Sequence, residues 1–281
     1  MTCSISSLQA QAQNKIVRLL GLQQAEARIE VQALLRSILN ASNAWLIAHS
    51  KDMIEPEKLS GFEVLLERRL KGEPVAYIVG FREFYGMDFR VSEDVLIPRP
   101  ETELLVDLAL DRIPENGNFR VLDLGTGSGI IAISVARQRK NALVTAAEKS
   151  SRALSVAKMN GKGIENIRFV ESDWFDALCG EKYDLILSNP PYIPEEDRHL
   201  EDLKHEPALA LTSGKDGLDA IRKIIEEAPA HLEPGGWLLF EHGYDQGEIC
   251  RKLLSKSFHE VYSWKDLSGI ERVSGGRLTS R

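Results

Sequence analysis

Two different periodicities divide the chain. Over residues 1–72 the apolar positions recur at helical spacing: Ala27, Val31, Leu34, Leu35 and Ile38 share one face, and Phe62, Leu65, Leu66 and Leu70 share another. Glycine is scarce in this stretch and its one proline is Pro56, so a small all-helical domain is expected. From Glu73 to Val91 the composition turns to aromatic and β-branched residues, in Glu73-Pro74-Val75-Ala76-Tyr77-Ile78 and Glu83-Phe84-Tyr85-Gly86. That pattern predicts a two-stranded β-hairpin linking the domains, within a linker over 73–97. The run Leu96-Ile97-Pro98-Arg99-Pro100-Glu101 then holds the chain extended before a helix that begins near Glu101.

Beyond residue 118 short apolar runs alternate with helical patterns. Strands are expected at 119–124, 143–147, 167–170, 183–188 and 237–240, with helices between them, for example over 130–139 and 151–160. This alternation predicts an α/β fold, a doubly wound and largely parallel sheet over 98–281. Two last strands, 259–264 and 271–278, have no helix between them and are expected as an antiparallel hairpin at one edge.

With 281 residues, 43% of them apolar, the chain is long enough for two packed domains. No apolar stretch approaches the roughly 18 residues of a membrane span. The N-terminus carries neither a signal-peptide apolar segment nor an Arg-rich amphipathic pattern, so a cytoplasmic location is expected. Cys3, Cys179 and Cys250 are odd in number and widely separated, matching neither a disulfide framework nor zinc spacing; no metal is expected. A net charge of −7 argues against a protein that grips nucleic acid over its whole surface.

The most informative tetrapeptide is Asn189-Pro190-Pro191-Tyr192, directly after the apolar strand 183–188. Two prolines lack the N–H needed for strand pairing, so they end the strand at the carboxyl edge of the sheet, where open α/β sheets bind ligands. An amide side chain, carbonyls released from the ladder and an aromatic face suit a planar NH₂ group on an sp² carbon. Strand 119–124 leads in turn into Gly125-Thr126-Gly127-Ser128-Gly129 and an apolar helix. A dinucleotide fingerprint would need glycine at 130, where Ile130 stands. A Gly-x-Gly-x-Gly turn followed by an acidic residue at the end of the next strand fits S-adenosylmethionine better. That residue is Glu148, whose carboxylate can accept from both ribose hydroxyls. Ser172-Asp173-Trp174-Phe175 follows the third strand, placing Trp174 to pack on adenine and Asp173 to reach its amino group. Other polar clusters carry less: Glu195-Glu196-Asp197 and Glu201-Asp202 read as a solvated loop, Arg68-Arg69 as the wet face of a helix, and His205-Glu206 and Glu241-His242 lack metal-ligand spacing.

Together these residues resemble the release factor glutamine N5-methyltransferase family, and the resemblance spans nearly the whole chain. Its most family-specific part is Pro98-Arg99-Pro100-Glu101-Thr102-Glu103, and it continues through Glu206-Pro207 and Asp216-Gly217-Leu218-Asp219. The resemblance implies a Rossmann-like S-adenosylmethionine-dependent methyltransferase that methylates the glutamine of a Gly-Gly-Gln loop in class I peptide chain release factors, modulating translation termination and releasing S-adenosylhomocysteine. Gly125, Thr126, Gly127, Ser128, Gly129, Glu148, Asp173, Trp174 and Asn189 are the expected cofactor residues, with Glu148 standing where Asp is commoner. Asn189, Pro190, Pro191 and Tyr192 are the expected acceptor residues, with Asn189, Pro190 and Tyr192 catalytic. The helical domain is expected to dock the release factor, the chain to act as a monomer, and neither a membrane nor a nucleic-acid substrate is expected. Two rival readings are an N6-adenine or other amino-group methyltransferase on nucleic acid, and a noncatalytic module that holds a translation factor. The first needs a basic target-recognition surface; the second leaves the intact Asn189-Pro190-Pro191-Tyr192 unexplained.

Overall fold

The computed structural model describes residues 3–279, which divide into two compact units, one ending at Phe81 and one starting at Arg82. Among the described residues no helix is long and apolar enough to cross a membrane.

The first unit is helical: α1 (Ile5–Leu20), α2 (Gln24–Leu39), α3 (Asn43–Ala48), α4 (Pro56–Leu70) and α5 (Val75–Val79). Local chemistry sets the ends. Ser4 caps α1 by accepting from the Ser7 N–H, Glu26 closes a capping box at α2, and Pro56 occupies the first turn of α4. Leu8, Ala12 and Ile16 of α1 pack with Val31, Leu34 and Leu35 of α2 and Phe62 of α4 in one buried core. Arg69 on α4 makes a two-pronged ion pair with Glu30 on α2, at 2.7 and 3.1 Å.

The expected hairpin region needs correction at its start. Val75-Ala76-Tyr77-Ile78-Val79 reads as a strand by composition but forms one helical turn, entered through Pro74 and stopped by Gly80 in the left-handed region. Ile78 is buried in the helical core, and that packing outweighs the β-propensity of the valines. The hairpin itself is β1 (Phe81–Phe84) and β2 (Met87–Arg90). Its two-residue turn, Tyr85-Gly86, has positive φ at both positions, the twist that a tight hairpin requires.

After a short 3-10 turn over Pro100–Thr102, the second unit runs α6 (Glu103–Leu110), β3 (Phe119–Leu124), α7 (Ile130–Gln138), β4 (Ala142–Glu148), α8 (Ser151–Asn160), β5 (Ile167–Glu171) and β6 (Tyr183–Ser188). It ends with α9 (Asp219–His231), β7 (Leu232–Glu241), α10 (Gly247–Leu254), β8 (Phe258–Lys265) and β9 (Glu271–Leu278). The sheet order is β5-β4-β3-β6-β7-β9-β8, with the first five strands parallel and β9 antiparallel to both neighbours. Alternate strand residues feed two cores. Val121, Leu185 and Leu187 pack with α6 and α7, while Leu122, Ile186 and Phe240 pack with α9 and α10. Covering both faces explains why these strands read as continuous apolar runs.

Candidate active site

The site follows from strand register. Leu124 pairs with Ala147 on one side and Ser188 on the other, and Ser188 pairs with Phe240. The next residue of each strand or its exit turn is therefore Gly125, Glu148, Asn189 and Glu241, a row across the carboxyl edge of four adjacent parallel strands. β3 is where chain order reverses, since β4 lies on one side of it and β6 on the other. Such a switch point opens a crevice between the diverging connections. A cavity of about 680 Å³ lies there.

The glycine turn is shaped by its backbone. Gly125, Gly127 and Gly129 all have positive φ, and a Cβ on Gly129 would meet Ile133 Cδ1 at 2.7 Å. Beneath it, buried Asp123 accepts at one oxygen from the Thr126 hydroxyl (2.5 Å) and the Ala132 N–H (3.2 Å), tying β3 to the first turn of α7. The other Asp123 oxygen is buried without a hydrogen-bond partner. Burial, reinforced by the nearby charge of Glu148, pushes the Asp123 carboxyl up to about 7.

Glu148 is buried and locked by two backbone donors, Gly127 N–H on Oε2 and Ser150 N–H on Oε1, each at 2.9 Å. Both carboxylate oxygens keep lone pairs for further donors, and the residue lines the cavity. Trp174 adopts a positive φ of 53°, and its ring lies 3.7 Å from where a Gly125 Cβ would stand. The indole is thereby set against bare glycine backbone as well as against the core. Asp173 lines the same cavity and pairs with Lys149 at 2.7 Å.

On the other side of the switch point, Asn189 and Pro191 line the cavity, whereas Gly129, Pro190 and Tyr192 lie outside its lining. Pro190 is buried, and Tyr192 packs on the Leu218 side of the sheet. The Tyr192 carbonyl accepts from Gln246 Nε2 at 3.0 Å, and a Cβ on Gly217 would stand only 2.2 Å from that carbonyl oxygen. The 189–192 turn is thus held by a side-chain amide and by close approach of a glycine. Thr126 and Ser128 are both buried and complete the cavity's glycine side.

Two functional neighbours were not picked out by sequence reasoning. Thr102 donates its hydroxyl to Glu241 Oε2 at 2.7 Å and accepts from Asn189 Nδ2 at 3.2 Å, and the Tyr192 phenol donates to Glu241 Oε1 at 3.2 Å. Burial pushes Glu241 up to about 7, and the Tyr192 phenol is raised by burial and by the adjacent carboxylate. The available signal was positional: Glu241 ends the strand next to the one that delivers Asn189. Glu206, which belongs to the stretch that carries the resemblance, is buried, accepts from the Ile97 N–H at 3.0 Å and pairs with Arg99. It fastens the Pro-Arg-Pro segment to the loop that forms one wall of the cavity.

Residues 102–270 match the Methyltransferase small domain family, and residues 11–80 match the PrmC N-terminal domain. The release factor glutamine methyltransferase of Bordetella pertussis is 49% identical over 256 residues, covering 89% of this chain and 95% of the relative. That of Coxiella burnetii is 43% identical over 253 residues (89% and 91%), and that of Escherichia coli 40% over 262 residues (91% and 94%). Among solved structures, a methyltransferase from Pyrococcus furiosus superposes with a TM-score of 0.53 at 20% identity, covering 76% of this chain and 98% of that one. The hMettl16 catalytic domain gives 0.56 at 15% identity, covering 75% and 80%. At those identities the structural likeness speaks for the fold alone.

Proposed function

Because the chain belongs to the release factor glutamine methyltransferase family, we propose that the crevice described above methylates a glutamine side-chain amide, with Asn189 at the acceptor and the glycine turn at the cofactor. The enzyme transfers a methyl group from S-adenosylmethionine to the N5 nitrogen of glutamine in the Gly-Gly-Gln motif of class I peptide chain release factors. The observation that carries this reading is the register row, which sets the glycine turn, Glu148 and Asn189 side by side around one cavity.

The donor set fits the cofactor. Glu148 offers oxygens already oriented by backbone N–H groups, as a ribose diol requires. The open N-terminus of α7 after Gly129 favours a carboxylate, and Trp174 and Asp173 offer an aromatic face and an acceptor for adenine. When bound, S-adenosylmethionine supplies an electrophilic methyl group and departs as S-adenosylhomocysteine.

An amide nitrogen is a weak nucleophile because its lone pair is delocalised into the carbonyl. Asn189 Oδ1 accepts one N–H of the glutamine and the Pro190 carbonyl the other, which orients the nitrogen for attack. Pro191, which lines the cavity, stiffens the turn, and the Tyr192 ring packs behind that turn against the core and backs it against water. The nitrogen becomes acidic once the new C–N bond forms, so its proton leaves afterwards and no strong general base is needed. The helical unit supplies contacts to the release factor, in the cytosol where that substrate works.

Exocyclic amines on nucleic acid share this geometry, but residues 1–81 carry a net charge of only +1 and the rest of the chain −8, a poor surface for phosphate. The deciding experiment follows labelled methyl from S-adenosylmethionine into a release factor, its Gly-Gly-Gln glutamine variant and DNA in parallel. Label on the unaltered factor alone is expected; label on DNA alone would overturn the reading.

A further inference from the structure

We propose that Glu241 is a positioning residue that sets the hydrogen-bond polarity of the acceptor slot, acting on Asn189 through the Thr102 hydroxyl and on Tyr192 directly. This inference rests on the proposed role of Asn189 as the acceptor of a glutamine N–H. A side-chain amide can sit in either of two flips, and only one presents oxygen to the substrate. Three observations select that flip. An ionised carboxylate can only accept, so the Thr102 proton is committed to Glu241 Oε2, at 2.7 Å. Thr102, fully buried, then has only oxygen lone pairs to offer, and Asn189 must present its NH₂, at 3.2 Å. The Asn189 oxygen, on the other branch of the amide, is left for the cavity that Asn189 lines.

The second Glu241 oxygen takes the Tyr192 phenol, so one buried carboxylate holds both Thr102 and the far end of the 189–192 turn. Thr102 and Glu241 are 139 residues apart and meet through strand order, Thr102 entering ahead of α6 and Glu241 closing β7. Thr102 lines the cavity, but its hydroxyl is engaged by Glu241 and Asn189, and Glu241 lies outside the lining, which is why their effect belongs in turnover rather than in affinity.

Glu241 is faced by Arg272, which lowers its proton affinity together with the two hydrogen bonds, and by Glu101, which raises it; Arg99 and Arg272 act on Tyr192. With burial dominating, the carboxyl sits at about 7. A proton on Glu241 Oε2 turns that oxygen into a donor, reverses the bond to Thr102 and releases Asn189 from its flip; a proton on Oε1 reverses the bond to Tyr192 instead. Turnover should therefore fall on the acid side of neutrality.

The test uses the full chain with a release factor as substrate, reading kcat, KM, cofactor affinity by calorimetry and melting temperature. Thr102→Val, nearly isosteric, is expected to lower kcat about tenfold or more while KM and cofactor affinity stay within about twofold, the size expected for one lost alignment contact. Thr102→Ser, which restores the hydroxyl, is expected to recover most of the rate. Glu241→Gln cannot titrate and is expected to lose the acid limb of the kcat profile. Wild-type kcat in Thr102→Val, or an unchanged acid limb in Glu241→Gln, overturns the positioning role if Asn189→Ala is inactive with cofactor affinity intact. Wild-type turnover in Asn189→Ala would overturn the acceptor reading itself, and the inference with it.

Discussion

At the scale of single residues, the second unit buries the carboxyl groups of Asp123 and Glu241 almost completely. Asp123 lies under the glycine turn with one oxygen unpartnered, and its carboxyl is raised from an ordinary 3.8 to about 7 by burial and by Glu148. A folded-state pKa above the unfolded one means that the native protein binds the proton more tightly. The associated stability is therefore full below the unfolded value and is lost as pH rises through about 7. Asp123→Asn should remove this dependence, because an amide oxygen can still accept from Thr126 and Ala132 while its NH₂ occupies the unpartnered side. Urea unfolding at pH values below and above 7 is expected to show the variant gaining on the wild type as pH rises. A difference between the two proteins that does not change with pH would show that Asp123 carries no net charge penalty. Asp123 thus ties the glycine turn to α7 at some expense in stability near neutral pH.

Among elements, the turns after β3 and β6 decide the site, and each is held by something outside itself. The 189–192 turn is held by Gln246 on its carbonyl and by Gly217, which has a φ of +74° and no room for a Cβ beside Tyr192 O. Gly217→Ala must move the turn or itself. It is expected to lower kcat by about one to two orders of magnitude, the scale of a misplacement near 1 Å, while cofactor affinity, proposed to rest on the β3 side, changes little. Steady-state kinetics beside calorimetry separates the two; equal losses in both would mean that the crevice deforms as one body. Elements of this kind were unevenly legible in the sequence. The strands 119–124, 183–188 and 271–278 stood out because both-face burial and the flanking Gly or Pro residues are local signals. The helical turn Val75–Val79 did not, because five residues chosen for tertiary packing look like a strand when read alone. Glycine turn, Glu148 and Asn189 could be named because each ends a recognisable strand. Thr102 and Glu241 could not be joined, since the contact between them depends on strand order rather than on either residue's neighbours in the chain.

For the whole molecule, the division of cores predicts a division of functions. The helical unit buries Ile16, Val31, Leu34, Leu35 and Phe62 among its own residues, and the cavity-forming residues all lie beyond Arg82. The second unit has two cores flanking its sheet, built among the described residues from Phe84 onward. The part from Arg82 onward has cores of its own, so after removal of residues 1–81 it is expected to fold and to bind S-adenosylmethionine within about a factor of three of the full chain, a change below 1 kcal/mol. The helical unit nevertheless carries exposed apolar side chains, Leu19, Ile29, Ile47 and Val64, beyond what its own core uses. A protein substrate must be gripped well away from the reacting amide, since one glutamine side chain offers little binding area, and binding remote from the chemistry is what brings the Gly-Gly-Gln loop to the crevice. The truncated protein is thus expected to lose release-factor affinity by at least an order of magnitude while still methylating the factor at high concentration. Calorimetry for the cofactor and methyl transfer against factor concentration measure the two effects separately. A truncated protein that loses cofactor affinity more than factor affinity would place the helical unit in the service of the sheet rather than of the substrate.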